Sequence, residues 1–548
     1  MIAPRLRTRG LGFGAAVLCA AALAAPTTNA SAVTAANCQP YLTPHRSVAG
    51  YLVGEDSCQI SQGPDFTDAA GNLWHEADLA ISGTAAGYTD TDTTTANFRR
   101  DLTDTPRILF PQFGVTSWTA AEGTYSGGVG TAGAGISVLY PDDPARWNGR
   151  VALLVHGQAN NQPLGTLPRQ QPGAALPPTT FDNLYAAQWV DAGYAVIYTR
   201  RPAASGVTAT AADGTAIPSS LNDNIHTVLD FLTTGQKVIA RELGRAPDLT
   251  LEYGHSSGTI WGLLADESGL NTRPDGTHRM DGFLGDDPGG GLPLPLQLPA
   301  GQVLGERGSR ATYLPGSDLP AAQRHQMVPA LVLAHADYLP THIWLPTLTY
   351  LDLKQQAEAL YQAEGLSAVT RTYVVAGVSH IPASTGSPPG TLDMGPLIQA
   401  LIPVLADWVT RAVPPPPSIA GAPGDTSLSR QLQLPPIACP LGVRYPWPYP
   451  SGSPTETGYV PYDGATLEPV NSQGQLVDLD DNGYRDLLPT LDQAWRALHL
   501  ITADQHVNRQ VYVRCVRDAA TALHHQRLLT AAGVAQYIDQ AEQQPSLP

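Results

Sequence analysis

The chain has 548 residues, enough for a large buried core, and only 14% of them are charged. With 53 glycines, 49 prolines and 43% hydrophobic residues, the composition is typical of a folded, loop-rich globular protein rather than a disordered one. The net charge of −17, with basic residues scattered singly, argues against a nucleic-acid binder and against an anionic membrane surface as partner.

The N-terminal segment 1–32 has the pattern of a secretory signal peptide. Its three arginines precede an apolar run over residues 11–25, and small residues at 30–32 provide a cleavage site. The apolar run is shorter than the ~20 residues that a membrane-spanning helix needs. We therefore expect a secreted, extracellular chain that begins near Val33 and, without the three arginines, carries a net charge of −20.

Four cysteines lie beyond this segment, and an even number in an exported chain predicts two disulfides. Of the possible pairings we favour Cys38 with Cys58 and Cys439 with Cys515, because each pair lies in its own flanking region. No two of these cysteines have the CxxC spacing, so the sequence gives no support to zinc binding or thiol redox chemistry.

Three regions follow the signal peptide. Residues 33–146 are rich in Gly, Thr, Asp and Ser with short alternating runs, which predicts a β-rich region packed on the core. In residues 147–413, fully apolar runs alternate with helical periods, which predicts a mostly parallel sheet with helices on both faces. A proline run begins at Pro414, and residues 414–548 are predicted to form a Pro-rich and helical extension that packs on the core.

Within the central region the predicted strands cover residues 150–155, 194–199, 249–253, 280–285, 328–334 and 370–376. The predicted helices cover 181–192, 222–243, 345–365 and 394–413. Two further helices are predicted at 488–502 and 511–543, and a small cap is predicted at about 288–327.

The segment Gly254-His255-Ser256-Ser257-Gly258 matches the GxSxG pattern. It follows a predicted strand and precedes an apolar helical segment, the strand–turn–helix setting of a nucleophile elbow. The two glycines leave room for the tight turn that exposes the serine hydroxyl. We predict that Ser256 is a nucleophile and that the backbone N–H of Ser257 contributes to an oxyanion hole.

A serine nucleophile needs a base and a group that orients the base. Asp337 follows the predicted strand at 328–334, and His380 follows the one at 370–376. Both therefore belong to the same sheet edge as Ser256, and their order along the chain is the α/β-hydrolase order.

Two further assignments complete the predicted site: the identity of the acid and the second donor of the oxyanion hole. Asp286 and Asp287 follow an earlier strand and could supply the acid in place of Asp337. The second oxyanion donor is expected in the loop after the first strand of the central region, where Gly157 and Gln158 occur. The N–H of Gln158 is the favoured donor.

Together these motifs resemble the α/β-hydrolase superfamily. Further stretches resemble a large family of α/β-hydrolase-domain proteins within it: ISGTA at 81–85, YPDDP at 140–144, WNG at 147–149 and VAGVSH at 375–380. The resemblance implies an α/β-hydrolase fold and ester hydrolysis in general terms, with no particular substrate. The chain departs from the family pattern in carrying HGQ after the first strand, where an acidic or Asn-containing loop is usual.

The tail contains a partial calcium-loop pattern with candidate ligands at Asp478, Asp480, Asn482 and Asp486. Pro489 stands where a bidentate acid is needed, so we favour an acidic turn over a metal site. We expect no cofactor.

The sequence thus predicts a secreted carboxylic ester hydrolase, esterase- or lipase-like or polyester-cleaving, which uses a Ser-His-Asp triad through an acyl-enzyme. A serine peptidase or amidase of the same fold is the alternative, and a non-catalytic binding module is a further one. The short cap favours the esterase. The expected partner is a small or polymeric ester, with no nucleic acid and no membrane; the oligomeric state is left open.

Overall fold

The structure is a computed structural model. It describes residues 38–48, 51–86, 89–90, 115–120, 123–126, 135–156, 184–200, 207–211, 216–217, 225–255, 257–267, 271–273, 275–287, 297–298, 302–303, 327–335, 355, 358–359, 362, 368–378, 392–425, 427–444, 459–464, 466–467, 486–487, 489–545 and 547. The predicted signal peptide, most of the predicted cap and most of the predicted helix at 345–365 lie outside these residues.

The strands are β1 (Arg46–Val48), β2 (Tyr51–Gln62), β3 (Phe66–Thr67), β4 (Leu73–Ala86), β5 (Thr89–Asp90), β6 (Val115–Ala120), β7 (Gly123–Ser126), β8 (Gly135–Pro141), β9 (Arg150–His156), β10 (Ala195–Arg200), β11 (Val207–Ala211), β12 (Ala216–Ile217), β13 (Leu249–His255), β14 (Gly282–Asp286), β15 (Gln297–Leu298), β16 (Gln302–Val303), β17 (Ala330–His335), β18 (Thr370–Val375), β19 (Gly442–Arg444), β20 (Tyr459–Pro461), β21 (Thr466–Leu467) and β22 (Asp486–Leu487). The helices are α1 (Ala186–Asp191), α2 (Ile225–Leu243), α3 (Ser257–Glu267), α4 (Gly395–Arg411), α5 (Pro435–Ala438), α6 (Leu491–Ala497), α7 (Arg509–His525) and α8 (Ala531–Glu542). Short 3-10 turns occur at Gln39–Tyr41, Pro144–Arg146 and Leu428–Arg430.

Six strands form a parallel sheet in the order β10-β9-β13-β14-β17-β18. Every residue of β13, β14 and β17 is buried. Strands covered on both faces are mostly apolar, which is why these segments lack the regular alternation of a half-exposed strand; the few polar side chains in them are buried as well. Because the strands are parallel, their carboxyl ends lie along one edge of the sheet.

Each face of this sheet is covered by its own helices. Ala152 and Leu154 of β9 pack in one core with α1 and α4. Val151, Leu153 and Val155 point the other way and pack in a second core with α2 and α3. Successive side chains of β9 point to opposite faces of the sheet, so alternate residues of the strand belong to the two different hydrophobic cores.

Antiparallel strands extend the sheet beyond β10. β8 pairs with β10, β4 with β8, β2 with β4 and β1 with β2, while β3 and β7 also pair with β4. The result is one sheet of 12 strands. The predicted fold class, an α/β-hydrolase fold with a β-rich N-terminal extension and a helical C-terminal extension, is confirmed.

Polar side chains join the N-terminal strands to α2. One carboxyl oxygen of Glu55 accepts hydrogen bonds from the backbone N–H of Thr43 (2.8 Å) and the hydroxyl of Thr234 (2.6 Å). Arg46 makes a bidentate contact with the buried carboxylate of Asp230, at 2.7 and 3.1 Å. Burial raises the pKa of Glu55 to about 7, against the lowering effect of its two hydrogen bonds.

Two disulfides are present, in the favoured pairing. Cys38 is bonded to Cys58, which ties the first 3-10 turn to β2, and Cys439 is bonded to Cys515, which ties the end of α5 to α7. The second bridge closes the longer loop, with a sequence separation of 76 residues against 20.

The C-terminal extension has two helices, α7 and α8, where the sequence predicted a single helix at 511–543. The chain leaves the helical path after α7, where Arg527 has a φ of 64°, and Leu528 is fully buried. Thr530 then caps α8 by accepting a hydrogen bond from the N–H of Gly533 at 3.0 Å. Burial of the leucine and the new cap together outweigh continuation of the helix.

No helix in the described part of the chain combines the length and apolarity needed to cross a membrane.

Candidate active site

At the predicted nucleophile elbow, only position 256 lies between the buried strand β13 and the helix α3. β13 ends at His255, and α3 begins at Ser257. This is the strand–turn–helix arrangement expected around the GxSxG segment. The predicted site residues that lie outside the described part of the chain are Ser256, Gly157, Gln158, Asp337 and His380.

The described strands that precede these residues end along one edge of the sheet. β9 ends at His156, two residues before Gln158, and Gly254 of β13 lies opposite Val155 of β9. β17 ends at His335, whose Cα partner on β18 is Val375. The carboxyl ends of all four strands therefore face the same side of the core, where ligands bind in α/β sheets.

The glycines of the elbow permit close backbone contact. A Cβ on Gly258 would overlap the carbonyl oxygen of Val155. A Cβ on Gly254 would lie 2.6 Å from the backbone nitrogen of Thr259 and 2.6 Å from the carbonyl carbon of Gly258. Both positions consequently require glycine for helix α3 to approach β9 and β13 this closely.

Thr259 fixes the first turn of α3, a role that the sequence did not reveal. Its buried hydroxyl oxygen lies 2.7 Å from the carbonyl oxygen of Gly254 and 2.9 Å from that of Asp286. The same oxygen accepts the N–H of Asp286 at 3.0 Å. One side chain thus connects the helix to the ends of both β13 and β14.

A cluster of buried polar side chains lies at the same edge of the sheet. The sequence analysis named only its two aspartates. The Nε2 atom of His335 is 2.6 Å from Oδ1 of Asp286, and the hydroxyl of Tyr253 donates to Oδ2 of Asp286 at 2.6 Å. Asp287 accepts the backbone N–H of His335 at 3.1 Å. We call Tyr253, Asp286, Asp287 and His335 the strand-end network. The sequence signal for it is a polar residue at the end of two apolar strands, together with a tyrosine two residues before the end of a third.

The electrostatics of the network depend on its burial. Asp286 and His335 have no exposed side-chain surface. Burial opposes the charge of Asp286, but the adjacent His335 outweighs it and holds the pKa of Asp286 below its usual value. Burial and the neighbouring Asp286 raise the pKa of Tyr253 far above its usual value, so its hydroxyl stays a donor.

Glu252, also on β13, is a buried carboxyl group of a different kind. It points to the opposite face from Tyr253, and its Oε1 atom has no hydrogen-bond partner among the described residues. Desolvation raises the pKa of Glu252 well above its usual value, because burial disfavours the charged carboxylate.

The described residues contain no group of three or more His, Cys, Asp or Glu side chains placed to hold a metal ion. Asp486 of the calcium-loop pattern begins the short strand β22, and Asp478, Asp480 and Asn482 lie outside the described residues.

No protein-family model and no curated protein sequence matches this chain. Among solved structures, Est1E from Butyrivibrio proteoclasticus is similar over 50% of this chain and 94% of its own, with 11% identity and a TM-score of 0.23. A truncated carbohydrate esterase from gut microbiota is similar over 45% and 83%, with 12% identity and a TM-score of 0.26. Esterase B from Lactobacillus rhamnosis is similar over 44% and 70%, with 11% identity and a TM-score of 0.25. The sheet topology, rather than these similarities, establishes the fold class.

Proposed function

We propose that this protein is a secreted serine hydrolase that cleaves carboxylic esters. The observation that carries the proposal is the junction between β13 and α3, where residue 256 is the single position between a buried strand and a helix. Gly254 and Gly258 flank it and allow close backbone contact. A serine at such a junction is typical of the nucleophile of an α/β-hydrolase.

In the proposed mechanism, His380 takes the proton of the Ser256 hydroxyl as Ser256 attacks the ester carbonyl. The backbone N–H groups of Ser257 and Gln158, with Gly157 shaping the loop, stabilise the negative charge that develops on the carbonyl oxygen. His380 then gives its proton to the leaving alcohol, and water cleaves the acyl-enzyme by the reverse sequence.

Asp337 is the proposed partner of His380. The alternative acid, Asp286, is fully buried and already has one carboxyl oxygen engaged by His335 and the other by Tyr253. The carboxylate of Asp287 likewise accepts the backbone N–H of His335. These contacts leave Asp337, two residues beyond the end of β17, as the better candidate to orient the base.

Secretion is part of the proposal. Segment 1–32 has the pattern of a signal peptide, and the two disulfides favour an oxidising compartment.

The test is hydrolysis of a short p-nitrophenyl ester, together with labelling by a fluorophosphonate probe. Ser256→Ala should abolish both while the protein keeps its melting temperature, whereas Ser429→Ala, on an exposed 3-10 turn, should change neither. Turnover that persists in Ser256→Ala would rule out the assignment. Failure of the wild-type chain to react with the probe would favour a binding module.

The acyl and alcohol preferences are tested separately. A panel of esters with increasing acyl chain length, an insoluble polyester and matched p-nitroanilides separates an esterase from an amidase. The proposal requires that kcat/KM for the best ester exceed that for the matched amide.

A further inference from the structure

The strand-end network holds two carboxylates and one imidazole in a fully buried site. Nε2 of His335 faces Oδ1 of Asp286 at 2.6 Å, and Nδ1 of His335 faces Oδ2 of Asp287 at 3.6 Å. With a carboxylate on each side, the ring is favoured in its doubly protonated, cationic form. The neighbouring ring of His255 lies 6.4 Å away between centroids and also acts on Asp286.

A buried cluster of ionisable groups is an unfavourable way to fill a protein core, because the groups lose their hydration. Charged groups removed from water are stabilised only when each is well paired, and apolar side chains of similar volume are often as stable or more so. Asp287 also adopts a φ of 39°, in the left-handed region that non-glycine residues rarely occupy. Such strain persists where the surrounding structure enforces it, and it clusters at functional sites.

The network connects the ends of three adjacent strands. Tyr253 belongs to β13, Asp286 and Asp287 to the end of β14, and His335 is the last residue of β17. In sequence, Ser256 follows Tyr253 by three residues, and Asp337 follows His335 by two.

We propose that the strand-end network is a positioning device that fixes the nucleophile-bearing end of β13 relative to the acid-bearing end of β17. The inference rests on the proposed serine hydrolase function. The side chains of Asp286 and His335 are fully buried, so they act through the two strand ends and not by contact with substrate. Displacement of a reacting group by ~1 Å can lower a rate by about 100-fold, so small shifts at these strand ends are sufficient.

Two variants test the positioning role, one by a large and one by a small change to the network. Asp286→Asn keeps the shape of the side chain but removes the negative charge beside His335, and we expect kcat to fall by about 100-fold with KM unchanged. Tyr253→Phe removes only the hydroxyl that donates to Asp286, and we expect kcat to fall by about tenfold. The second variant keeps the test informative if Asp286→Asn does not fold.

Tyr373→Phe is the matched control. Tyr373 is a fully buried tyrosine of β18 whose hydroxyl also makes one hydrogen bond, to the carbonyl of Pro416 at 2.8 Å, away from the strand-end network. We expect Tyr253→Phe and Tyr373→Phe to lower the melting temperature comparably, and only Tyr253→Phe to lower kcat. Equal kcat values in the two variants, with both melting temperatures reduced, would mean that the network is only structural.

A spectroscopic measurement reports on the network independently of turnover. In 15N-histidine-labelled protein, we expect the His335 ring to show two protonated nitrogens at neutral pH, and the pattern to change in Asp286→Asn. A neutral His335 ring in the wild type would overturn the charge-paired arrangement.

The outcomes also separate this inference from the proposed function. If the wild type neither hydrolyses esters nor reacts with a fluorophosphonate, the proposed function fails and the positioning role falls with it. If the wild type is active and both network variants keep its kcat, only the positioning role fails.

Discussion

The carboxyl group of Glu252 lies directly against the α-carbon of Gly262, so that a Cβ at position 262 would be 2.6 Å from Oε2 of Glu252. The contact joins the middle of β13 to α3, the two elements on either side of the proposed nucleophile. Desolvation raises the pKa of Glu252 well above its usual value, so burial at this contact disfavours the charged form of the carboxyl group.

This contact predicts a specific double-mutant result. Gly262→Ala should lower the free energy of unfolding by about 2 kcal/mol, because the added methyl group overpacks the site. In a Glu252→Ala background the same substitution should be much less destabilising, since the clashing carboxyl group is gone. Glu252→Gln is the control, because an amide of the same shape keeps the clash. Urea denaturation of the set measures the coupling, and additive effects in the Glu252→Ala background would contradict the contact.

A second prediction concerns Glu55, whose pKa burial raises to about 7. A carboxyl group whose pKa is higher in the folded state stabilises the fold at acid pH, and that contribution is lost as pH rises through about 7. We therefore expect Glu55→Gln, which cannot ionise, to gain stability relative to the wild type between pH 5 and pH 8.5, by at most ~3 kcal/mol. Thermal melts across this range provide the measurement. Glu542→Gln, at the exposed end of α8, should follow the wild type; parallel curves for Glu55→Gln and wild type would refute the prediction.

A third prediction concerns His75, whose contribution to stability should also decrease as pH rises. His75 lies between Asp65 and Asp142, with its ring nitrogens 2.9 and 3.0 Å from their carboxyl oxygens. Burial lowers the pKa of His75, but the hydrogen bonds and charges of the two aspartates outweigh it, and the net pKa is raised. The protonated ring therefore stabilises the fold below its unfolded-state pKa, and this stabilisation is lost as pH rises through the folded-state value.

The measurement for His75 is the difference in unfolding free energy between the wild type and His75→Gln. We expect this difference to be larger at pH 5.5 than at pH 9. His525→Gln, at the exposed end of α7, is the control and should show no such change. A difference for His75→Gln that grows with pH would reverse the assigned sign.

A fourth prediction compares the two disulfides. Cross-linking stabilises a fold chiefly by restricting the unfolded chain, and the effect grows with loop length. The loop of the Cys439–Cys515 bridge is the longer, with a sequence separation of 76 against 20 for Cys38–Cys58. Replacing both cysteines of the longer bridge by serine should therefore destabilise the protein by ~1 kcal/mol more than the same change at the shorter bridge. Chemical denaturation of the two double variants decides the order, and equal losses would count against the loop-length account.

The sequence by itself determined the parallel core and the strand–turn–helix junction around position 256. These are local or periodic features: a fully apolar run predicts a strand buried on both faces, and two glycines around a serine predict a tight turn. The sequence favoured the cysteine pairing that the structure has, but left the other pairings open. The boundary between α7 and α8 was missed because it depends on burial of Leu528 and on the cap at Thr530, whereas the helical period continues across it.

Only the tertiary structure decided how the polar groups at the strand ends pair. Tyr253 and Asp286 are 33 residues apart, and Asp286 and His335 are 49 apart, so no pattern within one segment connects them. The lateral order of the strands brings β13, β14 and β17 together, and the register sets which residues face one another. A buried charge is tolerated only when such a partner is present, and that partner is supplied by the fold rather than by the neighbouring sequence.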